Sequence, residues 1–356
     1  MPLSRIVTYS PAYTLVPTYE CFNNCSYCNF RTAPGQSPWL GLAEARQQLK
    51  TIQGQGVCEI LILSGEVHPR SSRREAWFEK IYEICQLALS LGFLPHTNAG
   101  PLSFQEMQQL KKVNVSMGLM LEQLTPKLLE TVHRHAPSKV PELRLQQLEW
   151  AGELKIPFTT GLLLGIGETP SDRIETLEAI AQIHHRWGHI QEVILQPHSR
   201  GQQQSFDAPA FDAYQLRDLI VKAREILPDA IAIQIPPNLI PDPNALLDCL
   251  AAGATDVGGI GPKDEVNPDY PHLKLQKLRE ILEAAGWELK PRLPVYPQYY
   301  EWLTSQLQQY VKKYLNRDRE RVFGGHLAIH TLAPGREFPI KGQGELLQPL
   351  KLLASD

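Results

Sequence analysis

Phe158-Thr159-Thr160-Gly161-Leu162-Leu163-Leu164-Gly165-Ile166-Gly167-Glu168 opens with a short β-branched and apolar run and then breaks into glycines. The run has the length and side chains of a strand, and Phe158–Leu164 is predicted as one. Glu168 or Ser171 can cap the next segment, and residues 173–186 have helical period. Strand, glycine exit and helix form one βα unit. Working outward, the same unit recurs along the chain. Strands are predicted at 14–18, 59–64, 93–97, 115–121, 192–196, 231–235 and 255–258. Helical segments are predicted at 42–53, 104–112, 142–154, 214–226, 245–252 and 273–285. Another is marked by Trp77, Ile81, Ile84, Cys85 and Ala88, whose spacing makes one apolar stripe. Eight strands each followed by a helix predict a parallel (β/α)8 barrel of TIM type. An open doubly wound sheet is the alternative, because period alone does not show closure.

Barrel enzymes hold their chemistry at the carboxyl ends of the strands. The residues there are Cys21 to Cys28, Gly65-Glu66, His96-Thr97-Asn98, Glu122, Gly165 to Glu168, Pro197-His198, Pro236-Pro237-Asn238 and Gly259 to Asn267. Polar side chains and glycines gather at that one end, which predicts an active site there.

Cys21-Phe22-Asn23-Asn24-Cys25-Ser26-Tyr27-Cys28 has the spacing C-x3-C-x2-C. Three thiolates this close on a loop can each take one iron of a 4Fe–4S cube and leave the fourth iron open to substrate. A structural zinc site wants four protein ligands, and no fourth Cys or His lies near in sequence. Cys58 begins a strand, and Cys85 and Cys249 lie on apolar helix faces, so all three are read as core residues.

The triplet, with Tyr27 before its last cysteine, resembles the signature of radical S-adenosylmethionine (SAM) enzymes. The resemblance implies one 4Fe–4S cluster on Cys21, Cys25 and Cys28 and SAM on its open iron. It further implies a 5′-deoxyadenosyl radical, and Tyr27 near the adenine. Ser64-Gly65-Glu66 is similar to the family's Gly-Gly-Glu, which holds the methionine ammonium; Ser64 replaces the first glycine. Gly161 to Glu168 is similar to its G-x-I-x-G-x-x-E, with Leu163 for Ile, and implies that Gly165 lies near the adenine. Arg144 matches an arginine that pairs with the cofactor carboxylate, and Asn98 a residue that contacts the ribose.

Thr14 to Glu20, Pro95 to Gly100, Gly258 to Pro262 and Val266 to Pro268 resemble the CofG-type subunits of FO synthase, which complete the deazaflavin of coenzyme F-420. That resemblance implies a substrate supplied by a CofH subunit from tyrosine and a ribitylaminouracil, and a carbon–nitrogen lyase that closes the ring with loss of ammonia. It also implies a reductant such as ferredoxin or flavodoxin. One triplet fits one half-reaction, whereas fused synthases need two. The alternative is another radical SAM enzyme, of biotin synthase or menaquinone-biosynthesis type, on a different small molecule. A cluster-carrying electron-transfer protein, or a radical enzyme acting on RNA, fits the sequence less well. His96, Glu122 and His198 are the substrate-site candidates, since imidazole titrates near neutral pH. The loop from Asp264 to Asn267 is a candidate cover for the ribityl chain. His133, His135, His184 and His185 are read as solvated.

At 356 residues the chain matches a barrel of residues 1–290 with a C-terminal extension, 291–356, packed on it. A net charge of −3 gives no basic footprint for nucleic acid. No apolar run approaches the roughly 20 residues that span a bilayer. Residues 1–10 lack the pattern of a secretion signal. Six cysteines, three of them within eight residues, do not make a disulfide framework, so the expected compartment is the reducing cytoplasm.

Overall fold

A computed structural model describes residues 5–272 and 274–322. The rest of the expected extension, and Leu273 of the predicted helix 273–285, lie outside the described residues. In chain order the main elements are β1 (Arg5–Leu15), α1 (Leu42–Ile52), β2 (Glu59–Leu63), α2 (Arg74–Ser90), β3 (Leu94–Asn98) and α3 (Phe104–Leu110). There follow β4 (Ser116–Gly118), α4 (Pro141–Glu153), β5 (Phe158–Leu164), α5 (Pro170–Trp187), β6 (Ile190–Pro197) and α6 (Ala213–Ile226). The chain continues through β7 (Ala232–Gln234), α7 (Pro243–Ala251), β8 (Asp256–Ile260), α8 (Leu275–Ala284), β9 (Trp287–Pro291) and α9 (Ser305–Val322).

The barrel is closed. β1 pairs in parallel with β2 on one side and β8 on the other, so β1 to β8 form a ring and the open-sheet alternative falls. β5, predicted as a strand over the same residues, is buried along its whole length and pairs with β6 from Phe158↔Ile190 to Leu164↔Pro197. Gly161 is needed there, since a Cβ would stand 2.3 Å from the Ile194 carbonyl oxygen on β6. Around the ring, Trp77, Ile81, Ile84, Cys85 and Ala88 of α2 are fully buried, the stripe their spacing predicted. Burying each large apolar side chain contributes about 1.5–3 kcal/mol. Cys58, Cys85 and Cys249 are buried, as core residues should be.

β1, β4 and β9 differ from the sequence reading, and α9 is a helix it did not contain. β1 starts nine residues before the expected Thr14, and stops at Leu15. Its lower half pairs with β9, a strand the sequence reading did not contain, and its upper half with β2. Pro17 has no N–H for a ladder, and beyond it the chain turns into the cysteine loop. β4 is short because the chain leaves regular pairing after Gly118; Glu122 N–H still donates to the Gly161 carbonyl at 3.1 Å, with Glu122 itself at φ 67°.

TIM barrels usually fill their interior with layers of branched aliphatic side chains. This one is polar at the floor. Arg292, just past β9, enters from below and donates to Asp256 (Nε 2.5 Å, Nη2 2.8 Å) and to Glu192 (Nη2 2.6 Å). Burial beside Asp256 pushes Glu192 up, while the Arg292 guanidinium holds Asp256 below the usual carboxylate range. The Pro294 carbonyl accepts hydrogen bonds from Ser116 Oγ (2.5 Å) and Gln191 Nε2 (3.0 Å), which seals the floor.

Candidate active site

The cysteine loop crosses the carboxyl mouth of the barrel between β1 and α1 and is anchored through its backbone. Cys21 N–H donates to Thr32 O (3.0 Å), Phe22 N–H to Glu66 O (3.0 Å) and Ser26 N–H to Val132 O (3.0 Å). Ser26 O in turn accepts from Ser205 and Phe206 N–H, both at 2.9 Å. Cys25 is buried, and Cys21 and Cys28 are half-buried. Burial pushes the Cys25 thiol up to about 12 and raises that of Cys21, with the Glu66 carboxylate adding to the second. Without a metal such thiols stay protonated; iron would draw off the protons.

Among the described residues no group of three or more His, Cys, Asp or Glu surrounds a single ion. The donor set is three thiols on one loop at the barrel mouth, with Cys28 lining the cavity beside it, which suits one thiolate per iron of a cluster. The donor set therefore fits a cluster held by Cys21, Cys25 and Cys28.

Below the loop lies a cavity of about 310 Å3, lined by Tyr27, Cys28, Glu66, Asn98, Glu122, Lys139, Arg144 and His198 among others. Seven of the twelve site residues singled out from sequence thus line one space. Glu66 is pinned from two sides: Asn23 Nδ2 donates to it at 2.9 Å and Arg144 Nη2 lies 3.5 Å away. Gly65 is required just before it, since a Cβ would sit 2.2 Å from the Glu20 carbonyl oxygen. Gly100, at φ 78°, leaves the space that the Glu66 side chain occupies. Arg144 is buried and its guanidinium is spent on the Ser138 and Met120 carbonyls as well as Glu66. Glu122 pairs with Lys139, and the two stabilise each other's charged forms, Glu122 lowered and Lys139 raised.

Tyr27 packs on Leu128, Val132, Leu163 and Ile166 and shares a 2.9 Å hydrogen bond with His133 Nε2. His133 is accordingly buried, not solvated as expected, and burial lowers it to about 3. His184 is also buried, while His135 and His185 are exposed. His198 stands at the mouth, its Nε2 3.3 Å from Gln204 Oε1, and burial lowers it. His96 is elsewhere. Its Nδ1 bonds Ser116 Oγ at 2.7 Å on the barrel floor, and burial lowers it to about 3, so the ring is neutral at physiological pH rather than poised near it. Gly165 holds φ 87°, and Glu168 stabilises that turn by accepting from Gly165 N–H (2.7 Å), Ile166 N–H (2.8 Å) and Arg173 Nε (2.7 Å). Its carboxylate is a structural cap.

Sequence reasoning missed Asn23, Lys139 and Arg292. Asn23 lies inside the triplet, between the first two cysteines, and joins Glu66 to Ser138, whose N–H donates to Asn23 Oδ1 at 3.1 Å. That position was the available signal. Lys139 ends a three-residue 3-10 turn and Arg292 lies in an irregular segment, both too short for a period to mark a side chain as buried.

The sequence profile of the Radical SAM superfamily matches residues 15–180. The 7,8-didemethyl-8-hydroxy-5-deazariboflavin synthase of Trichormus variabilis is 69% identical over 323 residues, 91% of this chain and 94% of that protein. The protein of the same name from Trichodesmium erythraeum is 62% identical over 88% of this chain and 98% of its own. Among solved structures, the FeFe-hydrogenase maturase HydG from Carboxydothermus hydrogenoformans superposes with a TM-score of 0.67 at 20% identity, over 89% of this chain and 79% of that one. Methylornithine synthase (PylB) does so at 0.61 and 16% identity, over 80% and 84%. The last two support the fold alone. With its cysteine loop over a polar barrel mouth and relatives this similar along nearly their whole length, the chain belongs to the radical SAM family of 7,8-didemethyl-8-hydroxy-5-deazariboflavin synthases.

Proposed function

We propose that this protein is the CofG-type subunit of FO synthase: a carbon–nitrogen lyase that takes the hydroxybenzyl adduct of ribitylaminouracil made by CofH and converts it to FO with loss of ammonia. The observation that carries this is a single cysteine triplet over the cavity at the barrel mouth, in a chain 69% identical to a protein named for FO synthesis. When bound, the reduced cluster and SAM supply a 5′-deoxyadenosyl radical. The chain's own residues bind and orient. Cys21, Cys25 and Cys28 would hold the cluster, and Glu66, fixed by Asn23, would present a carboxylate to the methionine ammonium. Arg144 pairs with Glu66 and adds positive charge for the methionine carboxylate. Gly65 lets the strand end pass close to the loop, and Tyr27, Asn98 and Gly165 shape the nucleoside site. Glu122 and His198 face the substrate at the mouth, with His96 below. The barrel wall excludes water, which protects a carbon radical from side reactions.

On this reading residues 1–290 form the catalytic barrel and 291–356 the extension, and the protein works in the cytoplasm with a ferredoxin or flavodoxin as reductant. Among the described residues no helix is long and apolar enough to cross a membrane. The test is to mix the anaerobically reconstituted protein with CofH, tyrosine, the ribitylaminouracil, SAM and reductant. FO fluorescence and ammonia should appear with CofH and be absent without it. FO without CofH would make this chain a complete synthase. 5′-Deoxyadenosine without FO, in the presence of active CofH, would move it to another substrate.

A further inference from the structure

The active-site cavity does not end at the mouth. A second space, of about 180 Å3, continues down the barrel interior and shares Asn98, Gln196, Met120 and Ile194 with the upper one. We propose that this polar lumen binds the polyhydroxylated chain of the substrate, so that the aromatic part lies above it under the cysteine loop. The inference rests on the functional reading above and deepens it.

The two spaces differ in chemistry. Leu61, Leu63, Met120 and Ile194 border both spaces, and the upper one adds Leu119 and Leu163 beside Tyr27, an apolar wall suited to flat rings. The lower one is lined by carboxamides and charged groups, with Ala12, Gly118 and Gly259 leaving room between strands. Stability does not account for that polarity. Replacing buried ion pairs with packed aliphatics is often neutral or stabilising, and would close the lumen. The charged groups at the floor are already engaged, Arg292 with Asp256 and Glu192.

Besides the Glu59 carboxyl, what remains available is neutral and polar. Asn238 is held by its Nδ2, which donates to Asp264 (2.9 Å) and to the Tyr270 carbonyl (2.6 Å). Its Oδ1 is buried and has no hydrogen-bond partner among the described residues, and the same holds for His272 Nδ1. Both residues line the lumen. Buried polar atoms left unpaired are rare and call for a partner. Gln196 and Asn98 stand where the two spaces meet. A hydroxyl both donates and accepts, as does a carboxamide, so a chain bearing hydroxyls on successive carbons matches this lining group for group. The lumen has room for about six waters at roughly 30 Å3 each, hydration that such a chain can replace. The Asp264–Asn267 turn, fixed by Val266 and Asn267 N–H donating to Asp264 Oδ1 at 2.9 and 3.0 Å, contributes to the same wall.

The experiment uses the reconstituted holoprotein and two fluorescent probes, FO itself and a deazaflavin carrying an ethyl group in place of the ribityl chain. Binding is followed by fluorescence quenching. The wild type should bind FO at least roughly tenfold more tightly than the ethyl analogue, the worth of one or two net hydrogen bonds. Asn238→Leu and Gln196→Leu should each weaken FO by roughly tenfold and change the analogue by less than about twofold. Asn238 also anchors a loop, so each variant's cluster absorption is compared with the wild type, and Gln196→Leu carries the test if Asn238→Leu fails to fold. Equal affinity of the wild type for both probes, or equal weakening of both by Gln196→Leu, overturns the lumen assignment while leaving the functional reading standing. Binding of neither probe overturns the functional reading, and this inference with it.

Discussion

Arg292→Met tests whether the floor of the barrel is held by one buried guanidinium. In the wild type Arg292 makes two hydrogen bonds to Asp256 and one to Glu192, at 2.5 to 2.8 Å, and all three side chains are buried. Met keeps the stem's volume and removes the charge, stranding two acids out of water. Breaking a buried pair from one side costs about 3–5 kcal/mol. At roughly 2 °C per kcal/mol for a domain of this size, Tm should fall by about 6–10 °C at pH 7.5. The sign of the pH dependence follows from Asp256. Its folded pKa is depressed by Arg292, so its stabilisation is present above the unfolded value of about 3.9 and is lost as pH falls through the lower folded value. Without Arg292 both acids titrate upward and are neutralised as pH falls, so the gap between variant and wild type should narrow from pH 7.5 to pH 5. Glu192 already lies high in the wild type, and its contribution is lost as pH rises through that raised folded value. The assay is differential scanning fluorimetry of both proteins at one scan rate across pH 5–8. A Tm within about 1 °C of wild type at pH 7.5, or a gap that widens toward pH 5, would refute the reasoning.

Other outcomes bear on the mouth. The reconstituted protein should carry about four irons, and Cys25→Ala should lose both the cluster's visible absorption and 5′-deoxyadenosine formation; a Cys25→Ala protein that still cleaves SAM sinks the cluster assignment. Gly65→Ala drives a Cβ to within 2.2 Å of the Glu20 carbonyl and must displace the strand end that carries Glu66. SAM binding by equilibrium dialysis should weaken by at least roughly tenfold, since a misplaced carboxylate loses a charge-assisted hydrogen bond; unchanged affinity would show that Glu66 is not a ligand. Substituting Cys58, Cys85 and Cys249 together by Ala should lower Tm through lost packing yet leave the cluster spectrum intact. Loss of a second cluster signal in that variant would contradict the reading of these three as core.

Much of the site was legible because its residues lie next to strand ends that periodicity locates. Gly65, Glu66, Asn98 and His198 stand at or just past the ends of β2, β3 and β6, and all four line or border the cavity. The histidines show where that reasoning stops. His133 and His184 have the polar neighbours of a surface segment, yet one is turned inward by Tyr27 and the other is buried on α5. His96 was placed at the mouth because β3 ends there. In a strand, successive side chains alternate between faces, and its inward position two residues before Asn98 puts it on the floor instead.

The amino-acid sequence by itself determined the βα repeat, the cysteine loop after the first strand and the burial of the other cysteines, because each follows from local spacing and apolar period. Only the tertiary structure decided closure, the long β1 with its β9 partner, and the tie from Asn23 through Glu66 to Arg144. It also decided the polar lumen, in which Arg292 meets Asp256 and Glu192 across 36 and 100 residues of chain. Contacts at that separation leave no periodic trace. They exist because the ring of strands brings inward-facing positions together, and a low-dielectric interior makes each buried charge find a partner.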